Sequence, residues 1–330
     1  MRNLRSTGGP LRWGLMASGG IARKFAVDAR AHGIEVAAVA SRDPARAADF
    51  AARHGIPRSH GSYDALLADP DVDAIYIAIP SNMHAEWSIR AARAGKHILC
   101  EKPGAMDEAE CEAVIRAVER AGVFYMEGFM YRCHPLWGLV KALIAEDRIG
   151  EVKSLRSSFC YDMGEKPENI RQRKDTGGGA LLDVGCYCLS FIRMIAGSEP
   201  ISLRATSRLG AESGVDELTT AELKFTGGLT ASFQCAMRLA EPHAAIIHGG
   251  LGRIEIPTPW HPPAEGAEVR LLIDGEEPEI YRTGDGLALF AREALDVAEN
   301  LGSLQSPSMN WLDSLGQARA MGALRKSAGL

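Results

Sequence analysis

The residues of this 330-residue chain that could do chemistry sit at ends of predicted elements. His97-Ile98-Leu99-Cys100-Glu101-Lys102-Pro103 is an apolar run that ends in a charged pair and a proline. Such a run reads as a buried parallel strand whose ladder the proline stops at its carboxyl end. Open α/β sheets keep their ligands at that edge. A lysine delivered there is a cation whose pKa a cofactor or substrate can move, although an isolated Glu-Lys-Pro reads more simply as a solvated turn. Further on, Gly177-Gly178-Gly179 leads to Asp183 and Tyr187, which lie four apart and share a face if the segment is helical. An acid and a phenol would then point together at the cleft between domains. Taken alone, they read as a surface charge and an amphipathic core residue.

A further constellation suits a dinucleotide. An apolar run at 11–16 leads into Ala17-Ser18-Gly19-Gly20-Ile21-Ala22 and then a helical pattern to Arg30. Strand, glycine turn and helix in that order let helical amides face a pyrophosphate. Gly19 lets the backbone approach the phosphates and Ala22 lets helix pack closely on strand, while Ala17 stands where the fingerprint has its first glycine. Folds that prefer NAD carry an acid at the end of the next strand, where it accepts from the ribose 2′-hydroxyl. Here the strand at 35–40 ends in Ser41-Arg42. A guanidinium pairs with a 2′-phosphate and lies flat on adenine, so NADP is expected over NAD, with NAD still possible. The other reading of Arg42 is a loop residue before the helix that opens at Pro44. Pro80, Asn82 and His84 follow the next buried strand, at 73–79, and complete a cofactor set of Ser18, Gly19, Gly20, Ile21, Ser41, Arg42, Pro80, Asn82, His84, Glu101 and Lys102. His84 either touches the nicotinamide ribose or phosphate or makes a structural hydrogen bond in a first helical turn. Glu101 either reaches the ribose or fixes the backbone, and Pro103 is a position where a cis bond could aim Lys102.

Strands and helices alternate to residue 127, with helices expected at 44–54, 63–67, 84–94 and 107–121 and further strands at 58–60 and 123–127. Asp107 is placed to cap the last of these helices. This alternation predicts a doubly wound parallel sheet of Rossmann type. Past Gly150 the pattern turns to extended segments at 151–162, 201–209, 219–225, 229–238, 244–248, 253–257, 269–273 and 279–281. Thr226-Gly227-Gly228 and Asp274-Gly275 supply hairpin turns. The second part is therefore expected to be α+β with a largely antiparallel open sheet. The boundary is drawn as 1–131 for dinucleotide binding and 132–330 for substrate binding and oligomerisation. Two closing helices, at 287–301 and 309–327, are expected to pack on the second sheet or return to the first domain.

A net charge of -5 with signs interspersed lacks the basic stripe that nucleic acid or an anionic membrane would need. The seven cysteines show no zinc spacing; Cys186 and Cys188 form a Cys-x-Cys with no histidine pair, so no metal is expected. No signal-type apolar run occupies residues 1–11, and no later run approaches membrane-spanning length. A cytoplasmic protein acting on a small molecule is expected.

Taken together, these residues resemble the oxidoreductase family named after glucose-fructose oxidoreductase, inositol dehydrogenase and MocA. The markers are Glu101-Lys102-Pro103, the segment Met126-Glu127-Gly128-Phe129-Met130-Tyr131-Arg132-Cys133-His134-Pro135, and Gly177 through Asp183 to Tyr187. Trp13 to Ala22 is similar to the branch of NADP-dependent D-xylose, glucose and trans-dihydrodiol dehydrogenases, which also tolerates a non-glycine at the Ala17 position. The inositol branch usually has histidine where this chain has Tyr187. The resemblance implies NADP-dependent hydride transfer to or from a carbinol of a sugar or polyol, with D-xylose or D-glucose foremost in an aldose 1-dehydrogenase. Alternatives are an aldose-aldose oxidoreductase that retains its NADP, a dihydrodiol or anhydrosugar dehydrogenase and, last, a non-catalytic NADP sensor. It also implies a homodimer or homotetramer formed through the C-terminal sheet.

By the same resemblance Lys102, Asp183 and Tyr187 form the catalytic set. A phenol titrates near pH 10 and a lysine near 10.4, so each needs tuning to work at neutrality. Tyr187 is read as proton acceptor, Lys102 as its electrostatic partner and Asp183 as the group orienting both lysine and sugar, with the first two roles exchangeable. Arg132 and His134 either line the substrate pocket or have a structural role; Arg171 and Arg173 are candidates by position. Arg42→Ala is expected to weaken NADPH far more than NADH in a fluorescence titration, and equal losses would reduce Arg42 to a loop residue.

Overall fold

Strands in which every residue is buried need cover on both faces, and one part of the chain is built on them. The computed structural model describes residues 10–330; residues 1–9, part of the stretch read for a targeting segment, lie outside the described residues. The chain forms two compact units. One runs to Cys133 and takes in Ala288–Leu315, and the other comprises His134–Leu287 and Gly316–Leu330.

In the first unit β1 (Trp13–Met16), β2 (Val36–Ala40), β3 (Arg58–His60), β4 (Ala74–Ile77), β5 (His97–Glu101) and β6 (Tyr125–Gly128) form one sheet. The order is β3-β2-β1-β4-β5-β6, and every pairing is parallel. All carboxyl ends therefore lie on one edge, with a topological switch at β1 between β2 and β4. The crossovers are α1 (Gly20–Ala31), α2 (Pro44–His54), α3 (Tyr63–Ala68), α4 (His84–Arg93) and α5 (Glu108–Ala121). Sequence dictates their ends: Asp43 accepts from the amides of Ala45 and Arg46 before Pro44, and Asp107 accepts from Glu110 as expected of a cap.

The closing segment corrects the expected boundary, because 288–315 joins this first unit. In α8 (Leu289–Glu299), Phe290 enters an aromatic cluster with Phe25 and Tyr76, with ring centroids 6.5 and 6.3 Å away, and Phe25 stacks on Tyr76 at 4.3 Å. Burial of this many aromatic faces outweighs sequence adjacency.

The second unit opens with α6 (Leu136–Ala145), a helix not singled out from the sequence pattern, and its sheet has the order β14-β13-β12-β11-β7-β10-β9-β8. The strands are β7 (Val152–Cys160), β8 (Ser202–Leu209), β9 (Asp216–Lys224), β10 (Thr230–Ala236), β11 (Ala244–Gly249), β12 (Gly252–Ile256), β13 (Ala267–Ile273) and β14 (Glu279–Thr283), matching the expected extended segments. Pairing is antiparallel except between β10 and β7, where no hairpin joins the two. Against one face lies α7 (Cys186–Ala196), which continues a helical run long and apolar enough to cross a membrane; 78% of that window is buried inside the protein, as befits a core helix. The buried indole of Trp260 donates to the Ser158 carbonyl (2.8 Å) and stacks on Phe159. The other face of the sheet carries Arg156, Arg204, Glu222, Ser232 and Gln234 around a cavity of about 600 Å³. The chain closes with α9 (Trp311–Ala328).

Glu293 of α8 is fully buried, and neither carboxyl oxygen has a hydrogen-bond partner. Burial pushes its pKa well above the ordinary carboxyl value, and the charges of Glu101 and Asp296 add to the shift. A folded-state pKa that is raised contributes stability fully present below the unfolded value and lost as pH rises toward the folded one. Glu293→Gln is therefore expected to melt higher than the parent at pH 8, with the gap closing toward pH 4; a gap independent of pH would contradict this.

Candidate functional site

Ala17 follows β1 at the switch point and takes φ 124°, a left-handed conformation in which a side chain is strained. The position thus has the backbone its fingerprint glycine would have, at a cost of order 1–3 kcal/mol that the surrounding bonds must overcome. The Ala17 amide donates to the Ala40 carbonyl (3.1 Å), and Met16 accepts from Ala78 (3.2 Å), tying the turn to both neighbouring strands. Beyond it, a Cβ at Gly19 or Gly20 would meet no atom within 4 Å, and the first turn of α1 carries no acid. Open space before helical amides fits a pyrophosphate. Ser41 accepts from the Asp43 amide (3.3 Å), and the exposed Arg42 reaches the Tyr63 hydroxyl, opposing the rise that burial gives that phenol's pKa. Ser18, Ile21, Ser41, Arg42, Pro80, Asn82, Glu101 and Lys102 thus all lie at or just past the carboxyl ends of β1, β2, β4 and β5. These residues fit a dinucleotide.

Lys102 is half-buried, and the Lys102–Pro103 peptide bond is cis. The turn is held from two sides. Buried His84 lies between the carbonyl oxygens of Pro103 (Nδ1, 2.7 Å) and Ile79 (Nε2, 2.8 Å), while buried Glu127 accepts from the Gly104 amide (2.9 Å). Burial pushes the imidazole pKa down, the two carbonyls oppose that, and Lys102 adds to it. At 1% exposure His84 braces the turn, the contact that the structural alternative of the sequence reading anticipates. Glu101 accepts from the Tyr76 hydroxyl.

In the second unit the glycine stretch is wedged against the preceding loop. Gly178 and Gly179 donate to the carbonyls of Arg173 and Arg171 (2.9 Å each), and a Cβ at Gly178 would lie 2.5 Å from the Arg171 carbonyl oxygen. The helix then departs from expectation: Leu181–Gly185 is a π-helical turn before α7, so Asp183 and Tyr187 are separated by a widened turn and not stacked on an α-helical face. Such turns gather at functional sites because they re-aim side chains. Asp183 Oδ2 accepts from the Tyr161 hydroxyl (2.6 Å) and from Arg171 Nε (3.0 Å). Burial, then the Asp183 charge, drives the Tyr161 pKa up; the same carboxylate raises that of Arg171, with smaller contributions from Tyr161 and Tyr187. Arg171 is thus the cation common to an acid and two phenols. Tyr187 is buried, edge-on to Phe159 (5.3 Å) and Trp260 (6.1 Å).

The remaining candidates have structural contacts. Arg132 is buried in the first unit, donating to Asp313 and to Met309 Sδ (2.8 Å). His134 accepts from the Leu136 amide (3.1 Å) and contacts the Pro263 carbonyl (3.1 Å) within the second. For both, the structural alternative accounts for these contacts. Arg173 pairs with exposed Asp175. Tyr161 was missed in the sequence; it fell inside the extended segment expected at 151–162, and lies just past the end of β7. Among the described residues no group of histidines, cysteines and acids could hold a metal.

Residues 11–129 match the model of the oxidoreductase family with NAD-binding Rossmann fold, and 137–255 match that of the GFO/IDH/MocA C-terminal domain. The chain belongs to this GFO/IDH/MocA oxidoreductase family. An NADP(+) D-xylose 1-dehydrogenase of Haloferax volcanii is 35% identical, over 96% of this oxidoreductase and 97% of that protein. A trans-1,2-dihydrobenzene-1,2-diol dehydrogenase of Xenopus tropicalis is 34% identical, over 92% and 93%. The crystal structure of a 3-ketoreductase from Actinomadura kijaniata, in complex with NADP and TDP-benzene, has a TM-score of 0.88 to this oxidoreductase at 32% identity, covering 97% of this chain and 98% of that one.

Tyr161→Phe leaves the Asp183 carboxylate with one donor fewer. A lost hydrogen bond to a charged group costs roughly 1.5–3 kcal/mol, which urea unfolding would measure; a change under about 0.5 kcal/mol, the level of ordinary surface substitutions, would mean the hydroxyl does not hold Asp183.

Proposed function

We propose that this oxidoreductase interconverts a carbinol and a carbonyl on a sugar or related polyol with NADP(H), as an aldose 1-dehydrogenase for which D-xylose and D-glucose are the first substrates to try. One observation carries the reading: the Asp183 carboxylate, on the turn leading to Tyr187, is held by Arg171 and Tyr161 in a chain of this family. The names of the relatives agree, being a xylose dehydrogenase, a dihydrodiol dehydrogenase and a ketoreductase. Arg42, past β2 where NAD-preferring folds carry an acid, supports NADP.

When bound, the cofactor supplies the hydride acceptor for oxidation or the donor for reduction. The chain's part is the proton. Tyr187 accepts it from the substrate hydroxyl, Lys102 donates to that oxygen and favours the phenolate by its charge, and Asp183 orients the sugar. Ser18, Gly19, Gly20 and Ile21 hold the pyrophosphate, and Ser41 and Arg42 hold the 2′-phosphate. A second copy of the chain seated on the polar outer face of the second sheet completes the reading.

Lys102→Met tests it with a panel of aldoses, anhydrosugars, cyclitols and diols. The variant is expected to bind NADPH like the parent while turnover falls by roughly 10²–10⁴-fold, the range of general acid-base catalysis. Near-normal turnover with any substrate the parent accepts would end the proposal.

A further inference from the structure

The helical run that carries Asp183 and Tyr187 starts at a point with no cap of its own: the residue at its head is alanine, with no side-chain hydrogen bond. The acceptor comes from another element. Asp216, at the head of β9 and 4% exposed, accepts from the Leu181 amide (Oδ2, 2.7 Å) and from the Thr219 hydroxyl (2.9 Å). Its other oxygen fills the space that a side chain at 179 would need, since a Cβ on Gly179, at φ +120°, would overlap Asp216 Oδ1. The same carboxylate therefore contacts both ends of the step from glycine loop to π-turn. Gly179 also accepts from the Asp183 amide (3.0 Å), so the contact at 179 is one hydrogen bond from Asp183 itself.

We propose that Asp216 is a positioning residue for the reaction, setting the start of the π-turn and through it the aim of Asp183 and Tyr187. This rests on the catalytic reading of those two residues given above. An isolated α-helix needs only some acceptor at its amino end, and a side chain at the cap position usually supplies one. Here the acceptor is a buried carboxylate on a strand of the sheet, so the turn is registered to the sheet as well as to its own loop. Burial raises the Asp216 pKa to about 6, opposed by the Leu181 and Thr219 hydrogen bonds and by Arg325. A bond from an amide to a desolvated carboxylate is among the stronger ones available to a backbone. Glycine at 179 follows from the same contact.

The test compares Asp216→Ala, Asp216→Asn, Tyr187→Phe and the Ala/Phe double variant in the full chain, with NADPH affinity and melting temperature measured alongside turnover of the panel's best substrate. Asp216→Ala is expected to lower kcat roughly 10- to 100-fold, the loss of one charge-assisted hydrogen bond, with NADPH affinity unchanged. Asp216→Asn keeps an acceptor for Leu181 and is expected within about 3-fold of the parent, near the scale of a neutral hydrogen bond's spread. The Asp216→Ala loss is expected to shrink in the Tyr187→Phe background, because only the part that acts through Asp183 is left. An equal loss in that background, full activity of Asp216→Ala, or an Asp216→Asn that folds but is as impaired as Ala would each overturn the proposal. Should Asp216→Ala not fold, Asp216→Leu, which keeps bulk against Gly179 and offers the Leu181 amide no acceptor, is held to the same outcomes. A Tyr187→Phe variant with parental kcat would instead refute the catalytic reading on which this rests.

Discussion

The turn that follows β5 is fixed by desolvated hydrogen bonds from both sides, and the placement of Lys102 depends on them. Pro103 offers its carbonyl to buried His84, and Gly104 its amide to buried Glu127. Space enforces the second contact, since a Cβ on Gly104 would lie 2.5 Å from the Tyr125 hydroxyl. Groups like these cannot trade partners with water without paying their desolvation, so the backbone leaving the sheet has little freedom. A lysine on a flexible four-carbon stem gains direction from such a base.

The second unit applies the same physics to a carboxylate. Asp183 has its Arg171 and Tyr161 contacts on one oxygen, in a setting where an unpaired charge would be expensive. Ion pairs of this kind add little net stability, yet removing one partner is costly, which makes them devices of position more than of strength. Departures from ideal geometry occur at these places too: positive φ at Ala17, Gly177 and Gly179, and the π-turn at Leu181–Gly185, although Asp147 and Leu304 also take positive φ elsewhere. Local rules are broken where a side chain or a ligand must be aimed.

Most of the architecture was legible in the sequence. The parallel sheet could be read because each apolar run is followed by a helix whose end is signalled, as by Asp43-Pro44 and Asp107; the second sheet could be read because β-rich segments alternate with glycine turns. The first unit's recruitment of 288–315 was not legible, for it depends on Phe290 meeting Phe25 and Tyr76, a contact 265 residues apart in sequence for the first pair. Lys102, Asp183 and Tyr187 stood out through the family resemblance, since type and position alone left each with a structural reading. For His84 and Arg132 the sequence left two roles open, because pattern shows that a polar residue lies near an edge but not that carbonyls, or Asp313, engage it. Tyr161 and Asp216 went unnoticed because their roles come from elements brought together only by the fold. The π-turn has no sequence signature that separates it from an α-turn.

The central claim is that this chain moves a hydride between a nicotinamide and a sugar carbon. The most direct measurement is a single-turnover incubation of the purified protein with NADPH deuterated at the transferring position and a panel of keto and aldehydo sugars, with products read by mass spectrometry. The account requires deuterium on a sugar carbon, in an amount equal to the NADPH oxidised. NADPH that binds but never loses its deuterium to any sugar of the panel would contradict it.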